Sequence, residues 1–286
     1  MGNFEGHALP GSFFIVFALW WTVQMFHRYL TCQRQNLRFT STPTYPCVCL
    51  CGKAKNWPIE SLLKLFFTSV GIIGEIYTGF NSGKFTTPEN GQHATMFFFF
   101  GLTGIMDLLV YFRFPVLKDI EYVSMIIAVT VEGMLFKFHL HGRDGVDVLV
   151  HTLLVYTISA SVLALLAEMR WRDNILIALS RPYFILLQGT WFWQIAFILH
   201  NPLPGAKEWN SEDHHSYLIA TMYFAWHCGV AFITMFLIGV CMTCFHKKYR
   251  SNDNMATNMM SLMTKDINNL NYKPLRKDSD NSDFEP

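Results

Sequence analysis

The chain has 286 residues, of which 51% are hydrophobic, 16% are aromatic and 15% are charged, and its formal net charge is +1. This composition excludes a disordered chain and is too apolar for an ordinary soluble domain. Because the charge is near zero and no basic stripe or stacking motif is present, no nucleic-acid partner is expected.

Long apolar stretches follow one another along the chain. A bilayer core needs about 20 apolar residues per helix, and seven stretches meet that length: 12–31, 58–80, 93–113, 116–140, 147–169, 175–200 and 214–245. Their hydrophobicity is continuous instead of alternating, which excludes a lipid-facing barrel. We therefore predict an all-α, polytopic membrane protein in which residues 1–250 form a seven-transmembrane-helix bundle.

Charged loops give the orientation of these predicted spans, because lysine and arginine in short loops resist translocation. Twelve such residues fall on one side and three on the other. The larger set is Arg28, Arg34, Arg38, Lys53, Lys55, Arg113, Lys118, Arg170, Arg172, Lys247, Lys248 and Arg250. This bias predicts a luminal or extracellular N-terminus and a cytosolic C-terminus. Residues 251–286 are rich in Asn, Asp, Ser, Lys and Met and are predicted to be a disordered cytosolic tail.

Histidines are concentrated on the predicted non-cytoplasmic side. Nine of the eleven fall there: His7, His93, His139, His141, His151, His200, His214, His215 and His227. Imidazole binds metals, moves protons and titrates near neutral pH. A single histidine near a helix end is usually structural, so we interpret His7, His200 and one of His214 and His215 as interfacial groups.

Six of the polar residues inside predicted spans are interpreted as interior groups, because a charged side chain in the hydrocarbon region usually faces the bundle interior. They are Glu75, Asp107, Glu132, Gln188, Gln194 and His227. The depths of Glu75, Glu132, Gln194 and His227 predict a polar shaft that runs from the non-cytoplasmic surface to near the middle of the membrane. Asp107 lies nearer the cytosolic side and is expected to make a different interaction.

Two carboxylate and histidine pairs flank one predicted turn. Glu132 and His139 are seven residues apart and Asp147 and His151 are four apart, so each pair shares a helix face. Gly142 lies between the pairs and is a plausible helix end. The two pairs are therefore expected to meet across a tight turn.

This pattern predicts a metal site with the ligands His93, Glu132, His139, His141, His151 and His227. Imidazoles with one or two carboxylates suit zinc or another divalent metal. Glu132 or Glu75 would then act as the catalytic base, while Asp147, Gln188 and Gln194 complete the polar core. A proton-handling site and a set of structural hydrogen bonds between helices remain open alternatives.

The favoured hypothesis is a metal-dependent membrane hydrolase that acts on a lipid-like substrate. The alternative is a non-catalytic trafficking or scaffold protein with a pH-sensitive polar core and a recruiting tail. Proton-coupled transport ranks third, because it needs a polar path through the cytosolic half as well. The predicted partners are the lipid bilayer, the lipid-like substrate and a cytosolic protein that binds the tail, and a homo-oligomer stays open.

Several sequence blocks resemble the transmembrane protein 45 family (domain of unknown function 716), including its epididymal relatives. The blocks are 2–11, 92–96 with the four phenylalanines that follow, 132–151, 187–194 and 226–227. The resemblance covers about residues 1–245 and implies a seven-span protein of Golgi, endosomal or surface membranes. It implies no activity. The positions that match the family's motifs are His93, Glu132, His139, His141, Asp147, His151, Gln188, Gln194 and His227.

Overall fold

The computed structural model describes residues 4–46, 57–81, 84–140, 142–143, 145–206, 209–210 and 213–270. These residues form seven helices and one two-stranded hairpin. The helices are α1 (Phe4–Arg34), α2 (Ile59–Gly79), α3 (Pro88–Tyr111), α4 (Ile120–His139), α5 (Gly145–Arg170), α6 (Ile175–Leu199) and α7 (His214–Leu270). The antiparallel strands β1 (Phe80–Asn81) and β2 (Lys84–Phe85) lie between α2 and α3. Each predicted apolar stretch overlaps one helix, so the helical architecture is confirmed.

Five of these helices, α1, α3, α5, α6 and α7, are long and apolar enough to cross a membrane. The other two carry three charged residues each within a shorter length: α2 contains Glu60, Lys64 and Glu75, and α4 contains Glu121, Glu132 and Lys137. Such side chains lower the hydropathy by which spans are recognised. A helical membrane protein is therefore established, while the count of seven crossings stays a prediction.

Local chemistry sets several helix ends. Asn174 caps α6, because its Oδ1 accepts hydrogen bonds from the backbone N–H groups of Leu176 and Ile177. Pro88 occupies the first turn of α3, where its missing N–H costs nothing. Gly142 follows α4 with a φ of 80°, a left-handed conformation that glycine adopts easily. The predicted break between α4 and α5 is thus confirmed.

Helices α1 to α6 pack as a ring in which α2 to α6 follow in chain order and α1 closes the ring against α6. α1 also contacts α2, where the rings of Phe13 and Phe67 stack 4.6 Å apart. The helices alternate in direction, so Glu75 near the end of α2 meets His93 near the start of α3. Each end of the ring therefore collects residues from all six helices.

The contact between α1 and α6 depends on two glycines. A Cβ atom at Gly11 would lie 2.8 Å from the carbonyl oxygen of Gly189, and one at Gly189 would lie 2.8 Å from the carbonyl oxygen of Gly11. Small residues allow such close approach of membrane helices. This contact fixes the position of α1, which begins at Phe4 and so places His7 inside a helix.

The chain divides into two compact units, residues 1–240 and 241–286. Within the first unit, α7 touches α6 through the rings of Trp191 and Phe224, whose centroids are 5.0 Å apart. Its other face is exposed, and Trp226 is 67% accessible. In the second unit α7 continues to Leu270, so residues 251–270 are helical where disorder was predicted. That stretch contains no Pro or Gly to stop an established helix, and residues 271–286 lie outside the described part.

Candidate functional site

Imidazoles from α1 and α5 meet at the end of the ring where α1 begins, which we call the histidine end. The Nε2 atoms of His7 and His151 are 3.4 Å apart. His151 Nδ1 lies 2.8 Å from Asp147 Oδ1, as the four-residue spacing predicted. Because a carboxylate only accepts hydrogen bonds, His151 Nδ1 donates to Asp147. In the neutral form of the buried imidazole, the lone pair is then on Nε2.

A second imidazole at the histidine end has a defined tautomer. Arg143 Nη2 is 2.6 Å from His139 Nε2, and Gln92 Oε1 is 2.9 Å from His139 Nδ1. A guanidinium group only donates hydrogen bonds, so Nε2 accepts from Arg143 and Nδ1 donates to Gln92. Arg143 also pairs with Asp147 at 2.8 Å. His139 is therefore neutral, and its lone pair is engaged by Arg143.

Glu75 and His93 lie beside His139. Glu75 Oε2 accepts a hydrogen bond from Asn90 Nδ2 at 2.8 Å, and Glu75 Oε1 is 3.3 Å from His93 Nδ1. The ring centroids of His93 and His139 are 5.8 Å apart. The structure thus brings these three predicted site residues together.

Glu132 lies deeper in the ring and pairs with α6. Gln188 Nε2 donates a hydrogen bond to Glu132 Oε1 at 2.7 Å, and both side chains are buried. Among the described residues, Glu132 Oε2 and Gln188 Oε1 have no hydrogen-bond partner. Because a buried polar group without a partner costs about 1–3 kcal/mol, this pair of oxygens needs an explanation.

His227 is not brought to the histidine end. It lies 3.3 Å from Gln194 Oε1, and its ring is 5.6 Å from the ring of Trp191. The Trp191 indole donates a hydrogen bond to the backbone oxygen of Val150 on α5, so this side chain separates His227 from α5. The predicted set of His139, His151 and His227 therefore does not converge, and His141 lies outside the described residues.

Two histidines interpreted as interfacial belong to the cluster instead. The ring of His200, just after α6, lies 5.6 Å from the ring of His7, and His200 Nε2 is buried without a hydrogen-bond partner in the described part of the chain. Burial lowers the pKa of His200, and Arg143 and His151 add to that effect while Asp147 opposes it. We define the histidine cluster as His7, His93, His139, His151 and His200.

The metal donors occur in pairs. Within the described ranges, no group of three or more His, Cys, Asp or Glu side chains is arranged to hold a metal ion. The two facing nitrogens of His7 and His151 are the nearest approach to a ligand set. Zinc or another divalent metal stays a prediction.

The opposite end of the ring, which we call the ion-pair end, holds two networks of buried charges. In the first, Lys64 Nζ lies 2.8 Å from Asp107 Oδ2 and 3.2 Å from Glu60 Oε1. The indoles of Trp20 and Trp21 donate hydrogen bonds to the Glu60 carboxylate at 3.0 and 2.7 Å. Asp107 therefore makes an interaction separate from the histidines, as predicted.

The second network joins α6 to α5 and to the loop after α1. Arg181 Nε is 2.7 Å from Glu168 Oε2, and the same guanidinium donates to the backbone oxygens of Thr42 and Pro43. Tyr122 donates its hydroxyl to Glu168 Oε1 at 3.2 Å. Arg181 and Glu168 are fully buried. Residues 35–46 thus close over the ion-pair end.

Trp21 and Tyr45 link the two networks. The Trp21 ring lies 5.6 Å from Lys64 Nζ and 4.5 Å from Arg181 Cζ, distances at which a cation is attracted to an aromatic face. The backbone N–H of Tyr45 donates to Glu60 Oε2 at 3.0 Å. Burial raises the pKa of the Tyr45 phenol to about 12. The loop is consequently held by both networks.

Sequence reasoning missed Glu60, Lys64, Glu168 and Arg181 as buried charges. Each lies inside a predicted span, which is the signal that could have identified it. They were overlooked because they fall near the ends of those spans, where a charge can also reach the interface.

Three adjacent cavities lead from the histidine end to the middle of the ring, and we call them the mouth, the neck and the chamber. Their volumes are about 420, 50 and 80 Å³. The mouth and the neck share His7, Glu75, His93 and His139 in their linings. Phe97 lines all three cavities. The three spaces are thus neighbours along one path.

The chamber differs in chemistry from the other two cavities. All six ring helices line it, with Phe14, Thr68, Phe100, Val129, Leu165 and Ile185 as one contribution from each. Lys64 and Arg181 mark its far side, where the paired charges of the ion-pair end begin. The chamber is therefore an apolar space that stops at the ion-pair end.

Comparison with known proteins gives relatives over most of the chain. Residues 118–242 match a family described as a family of unknown function (DUF716). Transmembrane epididymal protein 1A of Mus musculus is 27% identical over 267 residues, which cover 87% of this chain and 84% of that protein. Transmembrane epididymal protein 1 of Rattus norvegicus is 26% identical over 285 residues, covering 93% and 88%. The protein of that name from Homo sapiens is 29% identical over 159 residues, covering 55% and 57%.

These relatives support an integral, multi-pass membrane protein. The region that matches the family contains Glu132, Asp147, His151 and Gln188, whereas His7 lies before it. The site described above therefore extends beyond the matched region.

Proposed function

We propose the role of this protein from its cavities, because the family to which the chain belongs, DUF716, is described as one of unknown function. Its resemblance to the transmembrane protein 45 family predicted this membership. The protein binds a small amphiphile that enters at the mouth and places its apolar part in the chamber. The single observation that carries this proposal is the succession of a polar mouth, a narrow neck and an apolar chamber along one path.

The sizes and linings of the cavities fit such a ligand. The mouth, at about 420 Å³, is within the range of about 300–1,000 Å³ that is usual for small-molecule sites. The chamber, at about 80 Å³, admits a short alkyl segment and not a whole ligand. Phe97 lies between these spaces, and rotation of its side chain would open the path.

We place the mouth on the non-cytoplasmic side. By chain order, twelve lysines and arginines fall on the side of the ion-pair end, against three on the side of the histidine end, and positive residues favour the cytosol. All seven helices cross the membrane in this arrangement, in which Glu60 and Lys64 of α2 and Glu132 of α4 are buried inside the ring. The buried pairs of Lys64 and Arg181 then close the cytosolic end, which favours binding over transport.

The chamber can be filled by substitution. Val129 is buried and lines the chamber, while Val123 lies on the same helix and is 38% exposed. We expect Val129→Phe to weaken the binding of octanol, a minimal amphiphile, to the purified protein in nanodiscs by about ten-fold, which corresponds to 1.4 kcal/mol. Val123→Phe is the matched control. If octanol does not bind the unsubstituted protein saturably, or if both variants bind it equally, the proposal fails.

A metal-dependent hydrolase is the second candidate, and the facing nitrogens of His7 and His151 favour it. Their separation of 3.4 Å is close to that of two nitrogen ligands on one tetrahedral ion with metal–nitrogen bonds of about 2.0–2.1 Å. Asp147 would orient His151 in the manner usual for metal-binding imidazoles. Elemental analysis of the purified protein tests this candidate: a stoichiometric divalent metal that is lost in His7→Ala and His151→Ala supports it, and its absence removes it.

A trafficking or scaffold role, with residence in Golgi, endosomal or surface membranes, remains the alternative for the cytosolic part. Residues 251–270 continue α7 and offer a helical segment for a partner. Deletion of 251–286 should abolish such a role while leaving amphiphile binding intact.

A further inference from the structure

The neck contains one buried carboxylate oxygen that is ready to receive a donor. Glu132 lines the neck, is 2% exposed and uses only Oε1, which accepts from Gln188. Oε2 has no hydrogen-bond partner among the described residues. Because an ionised carboxylate accepts at both oxygens, a donor that enters the neck would complete its bonding.

Aromatic rings line the neck together with this carboxylate. Phe14, Phe97, Phe100, Phe136 and Phe192 all line the neck. Phe136 and Phe192 pack edge to face with ring centroids 5.5 Å apart, and Phe14 stacks on Phe192 at 5.9 Å. The faces of aromatic rings carry negative potential and attract organic cations. A carboxylate inside an aromatic box is the arrangement that recognises an ammonium group.

The charges along the entry path also favour a cationic ligand. Glu5, Glu75 and Glu89 line the mouth, and among the described residues that line it there is no lysine or arginine. Arg143, the arginine that contacts His139 at this end of the ring, is paired with Asp147. The mouth therefore attracts cations and repels anions.

We propose that the ligand of this protein is an organic amine in its protonated form, with its ammonium group in the neck against Glu132. This inference rests on the proposed amphiphile site and names the chemistry of its polar end. Gln188 is a positioning residue, since its amide fixes Oε1 and leaves Oε2 directed to the ligand. The alkyl part of the amine occupies the chamber.

An anionic amphiphile would be the opposite choice, with its head group near Lys64 and Arg181 at the far side of the chamber. Both cations are already engaged, Lys64 by Glu60 and Asp107 and Arg181 by Glu168. Three carboxylates thus face these two cations, so neither Lys64 nor Arg181 offers an unmatched positive charge to a ligand.

Three probes with the same eight-carbon chain separate these possibilities: octylamine, octanol and octanoate. Octylamine is protonated at pH 7, because alkylamines such as the lysine side chain titrate near 10.4. Binding to the full-length protein in nanodiscs is measured by displacement of a fluorescent apolar probe. We expect octylamine to bind at least about ten-fold more tightly than octanol, because its desolvated ammonium group gains cation–π and carboxylate contacts. Octanoate should bind more weakly than octanol.

Variants then assign the preference to the neck. Glu132→Gln should remove the advantage of octylamine over octanol while octanol still binds, which also shows that the variant is folded. Glu121→Gln, on the same helix but outside the cavity linings, should keep the advantage. Phe136→Leu should reduce the affinity for octylamine more than that for octanol.

The outcomes distinguish the two proposals. If the three probes bind equally, or if octanoate binds most tightly, the amine proposal is overturned and the amphiphile site stands. If the preference for octylamine survives Glu132→Gln, the neck is not where the ammonium binds. If no probe binds saturably, the proposed function itself is lost.

Discussion

The two ends of the six-helix ring bury polar residues in opposite ways. At the ion-pair end, Lys64 and Arg181 are matched by carboxylates at 2.7–3.2 Å, and the loop 35–46 covers them. At the histidine end, imidazoles line an open mouth, and Glu132 Oε2 lacks a partner in the described part of the chain. A buried ion pair is costly to break by removing one partner, whereas a buried group with an unused hydrogen-bonding atom is able to bind a further partner. The comparison identifies one end as a seal and the other as a site.

The largest expected effect tests the seal. Arg181→Leu leaves Glu168 buried without its partner and releases the oxygens of Thr42 and Pro43. Breaking a buried ion pair by removing one partner costs about 3–5 kcal/mol, and we expect a loss of that order in the free energy of unfolding in mixed micelles.

Two further variants control that measurement. Arg38→Leu removes an ion pair with Asp173 whose arginine side chain is 81% exposed, so stability should barely change. The double variant Arg181→Leu, Glu168→Leu should recover part of the loss, because no uncompensated charge remains buried. Equal stability of Arg181→Leu and Arg38→Leu would show that the ion-pair end is not a seal.

A smaller effect is expected where α1 approaches α6. A Cβ at Gly189 would lie 2.8 Å from the Gly11 oxygen and 2.9 Å from the backbone nitrogen of Ile15, so Gly189→Ala must push the two helices apart. Overpacking of this kind costs about 1–3 kcal/mol. Gly74→Ala on α2 is the control, since a Cβ atom at that position would meet nothing within 4 Å. Thermal unfolding in detergent should separate the two variants, and identical midpoints would refute this account of the contact.

The smallest effect is a pH dependence at the histidine end. Burial lowers the pKa of His200 below its unfolded value of about 6.5. Below about pH 6.5, the unfolded chain therefore binds a proton at this imidazole more readily than the folded chain does. This contribution to stability is present above about pH 6.5 and is lost as the pH falls through that value. His200→Gln should reduce the fall in the unfolding midpoint between pH 7 and pH 5 by the contribution of one such imidazole. His214→Gln, at an exposed position of α7, is the control, and an unchanged decline in His200→Gln would contradict the prediction.

Local patterns in the sequence were sufficient for part of this comparison. The spacing of Asp147 and His151 predicts their contact, because residues four apart share a helix face. The depth of Asp107 correctly separates it from the histidines. Both inferences need only the geometry of a single helix.

The remaining features depend on how helices are rotated and packed. His227 was grouped with His151 by depth, but α7 lies outside the ring behind Trp191, a relation that no local spacing encodes. His7 is interpreted from the sequence as an interfacial group near a helix end, whereas α1 begins at Phe4 and places His7 beside His151 of α5. The carboxylate partners of Arg181 and Lys64 come from other helices, so these pairs appear only when the ring is closed.

The most direct test of the central claim is the accessibility of the chamber from one side. Val129→Cys, in a chain without its native cysteines, is treated with a small charged thiol reagent on either face of a sealed vesicle, with and without octanol. We expect modification from the face that carries the histidine end and slower modification when octanol is present. Modification from the opposite face, or a rate that octanol leaves unchanged, would contradict the division of the molecule into a site and a seal.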